Sequence, residues 1–220
     1  MIRITNLKKQ LSDGFCLDIP SLVIESGERV ALVGVNGSGK STLLRLIAGV
    51  LKPDSGSIEI DVPKEEICYQ PQTPFCFSGT VRSNVALSCK DEALCDRLLR
   101  ECRLTELSKQ KVGALSGGER QRMALARSLA RQSRILLLDE PLSASDLEMG
   151  DALSEVIKHE YDSPEITLLV ATHLPKHAFL TATKILLLNA GRIEEYNDPQ
   201  AMKTPDSTFG KAFFAQWVWG

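Results

Sequence analysis

The chain has 220 residues, 26 Lys and Arg against 28 Asp and Glu, and 43% apolar residues. That length buries one substantial core, or a core with a small subdomain, and a formal charge of −2 gives no drive toward nucleic acid. No apolar run approaches the roughly 18 residues that span a bilayer, and the N-terminus lacks the apolar centre of a secretory signal.

In chain order, Met1 to Gln10 reads as the start of a β-strand with a basic turn. Ser26-Gly27-Glu28 reads as the turn between two hairpin strands. Arg29-Val30-Ala31-Leu32-Val33 has the apolar character of a strand buried on both faces. Ser41 to Ala48 follows with helical spacing. Between them lies Gly34-Val35-Asn36-Gly37-Ser38-Gly39-Lys40-Ser41, a phosphate cradle of the form G-x-x-x-x-G-K-[ST]. Glycine lets the backbone wrap a polyphosphate without Cβ clashes, and the freed N–H groups and helix N-terminus face the anion. Gly34, Asn36, Gly37, Ser38, Gly39, Lys40, Ser41 and Thr42 are the candidate nucleotide-binding residues. Lys40 would reach the β- and γ-phosphates, and the Ser41 hydroxyl would hold Mg²⁺. A glycine-rich turn that binds nothing is the alternative, opposed by the strand–loop–helix context.

Pro53 to Ser57 is a turn before the strand Ile58-Glu59-Ile60, and a short hairpin is expected between Gly56 and Gln72. Asp91 to Cys102 has helical spacing, with Leu94, Leu98 and Leu99 on one face and Cys95 and Cys102 on the core side. The six cysteines (Cys16, Cys68, Cys76, Cys89, Cys95 and Cys102) contain no C-x-x-C pair and read as reduced thiols. Ser116-x-x-Glu119 is a capping box, which needs no ligand. Gly117 and Gly118 inside it clear the helix mouth, which suits close approach of a phosphate. The helix Glu119 to Arg131 follows. Arg120, Arg122, Arg127, Arg131 and Arg134 read as one solvated face, without the aromatics of a nucleic-acid stripe.

Ile135 to Leu138 is a fully apolar strand ending in Asp139-Glu140-Pro141. Ligands of parallel sheets bind beyond the carboxyl ends of strands, so Asp139 is placed to hold Mg²⁺. Glu140, pointing to the other side, is free to orient and deprotonate a water. A polar strand end without chemistry is the alternative. Strands at 167–171 and 185–188 alternate with helices, as in βαβ units. His173 and His177 are four apart and could form a metal pair, which Pro175 and the lack of a third ligand oppose; surface position is the default for His177 and His159. Phe213, Phe214, Trp217 and Trp219 read as a closing helix packed on the body, with a docking patch as the alternative.

These motifs, in this order, resemble the nucleotide-binding subunits of ATP-binding-cassette (ABC) transporters. Leu115 to Arg122, LSGGERQR, is similar to that family's signature sequence, and the likeness runs from about Met1 to Gly191. The resemblance implies an α/β fold: a P-loop NTPase core with a parallel sheet, an antiparallel β-layer and a short helical subdomain. A single domain would fill residues 1–220, with 1–72 and 116–220 as nucleotide-binding core and 73–115 as helical subdomain. It also implies an ATPase using ATP and Mg²⁺. Gln72 matches the Q-loop glutamine that meets the metal and γ-phosphate beside the membrane partner; Gln70 is a rival that fits the pattern less well. His173 matches the histidine that contacts the γ-phosphate, and Asp146 the D-loop aspartate of the dimer interface.

Two such chains, a homodimer or a pair with a paralogous ABC subunit, would meet head to tail. ATP would lie between Lys40 of one and Ser116, Gly117 and Gly118 of the other. Separate transmembrane permease subunits are the implied load, and the implied location is the cytoplasmic face of the cell membrane. The chain departs from the family in three places. No aromatic occupies the expected early-loop position, where Leu11 stands near and Phe15 a few residues late, read as a strand residue facing the core. Ser145 replaces a usual leucine, and the helical subdomain is shorter than usual. Ser108 to Gly113 lacks the acidic residues common in exporters, which favours import. Export, or a soluble ABC ATPase that drives assembly of a complex as in iron–sulfur biogenesis, are the alternatives.

Overall fold

The computed structural model describes residues 1–11, 14–144, 146–173 and 175–215; the readings made for Ser145, Trp217, Trp219 and the His177 side chain fall outside the described residues. In chain order the elements are β1 (Ile2–Gln10), β2 (Cys16–Ile24), β3 (Arg29–Val33), α1 (Lys40–Ile47), β4 (Ser55–Ile60), β5 (Ile67–Gln70), α2 (Val81–Ala86), α3 (Glu92–Glu101), α4 (Gly117–Ala130), β6 (Ile135–Asp139), α5 (Leu147–Glu160), β7 (Thr167–Ala171), α6 (Pro175–Thr181), β8 (Lys184–Asn189), β9 (Arg192–Asn197) and α7 (Thr208–Ala215).

Strands β2-β1-β4 form an antiparallel layer, and β5-β6-β7-β3-β8-β9 form a sheet that is parallel except for the edge strand β9. The strand period of two assigns faces. In β6, Ile135 and Leu137 join one apolar cluster while Leu136 and Leu138 join the other. The first cluster is closed by α1, through Leu43, Leu44 and Ile47, and by the inward residues Ile2, Ile4, Leu17 and Ile19 of the antiparallel layer. The second is closed by α2, α3, α4 and α5. Both faces of the parallel sheet are therefore covered, as its uninterrupted apolar runs require. Phe213 and Phe214 of α7 pack with Ala31, Val33, Ile185 and Leu187, so the closing helix expected at the C-terminus does lie on the body. Among the described residues, no helix is long and apolar enough to cross a membrane.

Three local expectations are corrected. Ser26-Gly27-Glu28 does not turn a hairpin, because β2 and β3 belong to different sheets. It carries the chain between layers, with Gly27 at φ 81° and so tight against Pro164 that a Cβ would lie 2.5 Å from its carbonyl oxygen. The expected hairpin between Gly56 and Gln72 is likewise absent: β4 pairs with β1, and β5 with β6. Ser55-Gly56-Ser57 already lies in β4, where Gly56 sits over the register shift between Thr5 and Lys8 of β1. Finally, Lys8 and Lys9 form no turn; both lie in β1, paired with Asp18 at 3.3 Å and Asp54 at 2.7 Å. Local propensity marks a strand, but its partner is set by packing.

The segment 73–115 supplies α2 and α3, whose Val81, Val85, Leu94, Leu98 and Leu99 are buried together with Met123 and Leu129 of α4. Cys95 and Cys102 are buried in the same cluster, on the core side as expected. Asp91 caps α3, accepting the Leu94 N–H at 2.8 Å. Arg97 of α3 makes a two-pronged ion pair with the buried Glu160 at the end of α5.

Candidate nucleotide-binding site

Parallel strands bring their carboxyl ends to one edge, and four expected site segments leave from that edge. The cradle follows β3, Gln72 follows β5, Asp139 and Glu140 end β6, and His173 follows β7. Leu32 and Asp139 both register with Ala171 of β7, which sets the cradle and the carboxylates at one level on either side of that strand.

The cradle's glycines are demanded by space as well as by dihedral. Gly34 (φ 149°) passes the β8 end so closely that a Cβ would lie 2.2 Å from the Leu188 carbonyl oxygen. Gly39 (φ 109°) is the N-cap of α1, where a Cβ would lie 2.8 Å from Leu17 and 3.0 Å from Phe15. Glycine offers α1 no side-chain cap, so its first N–H groups stay available to an anion. The turn between β8 and β9 braces the loop from behind. Gly191 donates its N–H to the Ser38 carbonyl at 3.0 Å and accepts from Asp18 N–H at 2.8 Å. A Cβ on Gly191 would lie 2.0 Å from the Cys16 carbonyl oxygen.

Lys40 is buried and donates to the carbonyls of Gly34 (2.8 Å) and Val35 (3.1 Å). Burial pushes its ammonium below the usual range, and Glu140 and Asp139 pull it back up. Ser41 donates to Asp139 Oδ1 at 2.8 Å, which places together two hard oxygen donors suited to Mg²⁺. The other carboxylate oxygen of Asp139 accepts from the Tyr69 hydroxyl at 3.3 Å. Glu140 is buried and held at φ 51°, a left-handed conformation uncommon outside glycine. Its Oε2 lies 2.8 Å from His173 Nδ1, where the Nδ1–H tautomer donates.

Above the cradle opens a cavity of about 340 Å³. Asn36, Gly37, Ser38, Gly39, Lys40, Ser41, Thr42, Gln72 and Glu140 line it, together with Leu11 and Phe15. The expected residues on the phosphate side thus converge. Gln72 is the glutamine that lines this cavity; Gln70 is buried in β5 and borders a second cavity. Phe15 precedes β2 rather than lying in it, and packs on the core while its ring lines the cavity, which corrects its reading as a strand residue.

Ser116, Gly117 and Gly118 do not line this cavity. They open α4, where the capping box forms in full: Ser116 Oγ accepts from Glu119 N–H at 3.3 Å and Glu119 accepts from Ser116 N–H at 2.7 Å. Gly117 faces open space, and Gly118 passes Ala144 so closely that a Cβ would lie 2.9 Å from its carbonyl oxygen. Asp146 caps α5, accepting the Met149 N–H at 2.9 Å.

The arginines of α4 are not one solvated face. Arg127 stacks over the Phe77 ring, donates to the Phe75 carbonyl, and has its pKa lowered by burial. Arg131 donates to the Glu65 carbonyl. The helix is wedged among α2, α3 and β5, so little of its girth is left to water. Sequence reasoning also passed over Tyr69, Gly191 and Gln121. Gln121 had a signal: it shares a helical face with the apolar Leu125, four residues on, and a polar side chain on such a face needs a buried partner.

Residues 17–143 match the family model described as ABC transporter. The sulfate/thiosulfate import ATP-binding protein of Synechococcus elongatus is 36% identical over 231 residues, covering 96% of this chain and 67% of that protein. The protein of the same name from Mycobacterium tuberculosis is 36% identical, covering 96% of this chain and 66% of that one. The chain therefore spans about two thirds of the length of these relatives. Among solved structures, the dimeric ATP-binding cassette MJ0796, in a post-hydrolysis state bound to ADP and Pi, superposes with a TM-score of 0.77 at 26% identity, covering 90% of this chain and 98% of that one. A bacterial Atm1-family ABC exporter with ATP bound shares the fold, with a TM-score of 0.86 at 24% identity over 99% of this chain and 42% of that one. With its phosphate cradle, paired carboxylates and signature turn in place, the chain belongs to the ABC transporter family, as an ATP-binding subunit.

Proposed function

We propose that this chain hydrolyses ATP as one half of a head-to-tail pair and powers solute import through separate transmembrane permease subunits. The observation that carries this reading is the division of the expected site. Lys40, Ser41, Gln72 and Glu140 share one cavity, while Ser116 and Gly118 lie outside its lining, at the mouth of α4. A second copy supplies what the first lacks. The dimeric cassette of the same fold supports the pairing.

The cradle N–H groups and Lys40 bind the triphosphate, and Lys40 exchanges its loop carbonyls for phosphate oxygens. Ser41 and Asp139 would hold Mg²⁺, with Gln72 as a further ligand, and the ion would supply charge neutralisation for the triphosphate. Glu140 orients the attacking water and accepts its proton. His173 fixes the Glu140 carboxylate through its Nδ1, and is the residue we assign to contact with the γ-phosphate. Leu11 and Phe15 form the apolar wall available to adenine.

Import is favoured by the relatives, which are named as import ATP-binding proteins. The permease contact is the 73–115 arm next to Gln72. There Phe75 and Phe77, 67% and 47% exposed, flank a cavity of about 180 Å³ with Pro71 and Pro74. Such docking places the subunit on the cytoplasmic face of the membrane.

Sizing chromatography of Glu140→Gln with Mg²⁺ and ATP tests the shared site. Loss of turnover with retention of ATP and a shift to dimer is expected. A variant that binds ATP yet stays monomeric would refute it.

A further inference from the structure

We infer that Gln121 is a positioning residue for Glu140, holding the backbone of that residue so that its carboxylate faces the cavity. This rests on the reading of Glu140 as the base. The Gln121 side chain is buried at 6% exposure, and its Nε2 donates to the Glu140 carbonyl at 2.6 Å and to Ser143 Oγ at 3.2 Å. The residue it grips is the one that needs gripping. Glu140 sits at φ 51°, a conformation that costs a non-glycine residue free energy and persists only when its surroundings impose it.

Three bonds impose it. Glu140 N–H donates to the Ala171 carbonyl at 3.0 Å, its carbonyl accepts from Ser143 N–H at 3.3 Å, and the same carbonyl takes the short Gln121 bond. The first two come from backbone and are fixed by the fold. The Gln121 bond comes from a side chain one turn into α4, the helix that Ser116 caps and whose Gly118 lies against Ala144. It is therefore the one contact of the three that a substitution can remove. Without it the Glu140–Ser143 turn can relax toward ordinary dihedrals, which rotates the Glu140 side chain away from His173 and the cradle. Gln121 meets neither Lys40 nor the cavity, so nucleotide binding should not register its loss.

The test compares Gln121→Leu and Gln121→Glu with the parent and with Glu140→Gln. Gln121→Leu keeps the volume and removes the donor. Its kcat is expected to fall at least tenfold while the KM for ATP stays within about twofold. Wild-type kcat in Gln121→Leu, or a fall in kcat matched by an equal loss of ATP affinity, overturns the inference. Gln121→Glu keeps the shape and turns the donor into a carboxylate facing a carbonyl. Burial beside that oxygen favours the protonated carboxyl, which can donate again. Its kcat relative to the parent should therefore rise as pH falls. A flat ratio across pH 6–8.5 means a merely structural role and overturns the inference, including the case in which Gln121→Leu does not fold. If Glu140→Gln is inactive and Gln121→Leu is not impaired, the positioning role alone fails. If Glu140→Gln keeps its turnover, both readings fail.

Discussion

The cradle glycines show how a motif letter becomes a physical requirement. At position 39 an alanine must adopt φ 109° and push its Cβ against Leu17 and Phe15. We expect Gly39→Ala to lower unfolding free energy by about 1–3 kcal/mol in urea titration and to abolish ATP binding; a wild-type midpoint with wild-type affinity would contradict it. Lys40→Ala should instead leave the fold intact and remove nucleotide binding, as read by fluorescent-ATP titration, because its hydrogen bonds among the described residues go to the loop carbonyls of Gly34 and Val35. The sequence displayed these residues through their spacing. It did not display why Gly34 must be glycine, since the obstructing carbonyl belongs to Leu188 in a distant strand. Nor did it reveal Gln121 or Tyr69, whose roles depend on which strand end lies opposite them.

Helix α4 joins two demands on one N-terminus. Its capping box is a stability feature, and the same residues form the signature turn. The two can be separated. Ser116→Ala should cost about 1 kcal/mol, the ordinary value of a lost N-cap, measured by chemical denaturation. Ser116→Asp keeps a good cap and brings a negative charge to the surface proposed to meet the partner's triphosphate. Stability should be retained and turnover lost at least tenfold; a fully active Ser116→Asp would argue against that surface. At this scale the sequence was mostly legible. The apolar runs of β3, β6, β7 and β8 and the spacing of α1 and α3 fall where they were read. Pairing was not legible. The two expected hairpins fail because a turn signal says that the chain bends, not which sheet receives the next strand.

Across the whole molecule, the order β5-β6-β7-β3-β8-β9 puts the cradle strand in the interior of the sheet and the carboxylate strand two places away. No local pattern encodes that order; the family resemblance implied a parallel sheet and an antiparallel layer but not which strand lies beside which. The cradle lines a cavity that Ser116, Gly117 and Gly118 do not reach, so under the proposed head-to-tail pairing turnover should depend on encounter. Specific ATPase activity is expected to rise with protein concentration and then saturate, as measured by phosphate release over a dilution series. A flat profile down to concentrations at which sizing shows only monomer would exclude a shared site.

The Gly191 hairpin extends this to heredity. It touches no expected ligand, yet it buttresses Ser38 and leaves no room for a methyl group. In a saturation-mutagenesis screen for growth on the transported solute, codon 191 should therefore be as intolerant of change as the lysine codon at 40, although nothing in its neighbourhood resembles a catalytic motif.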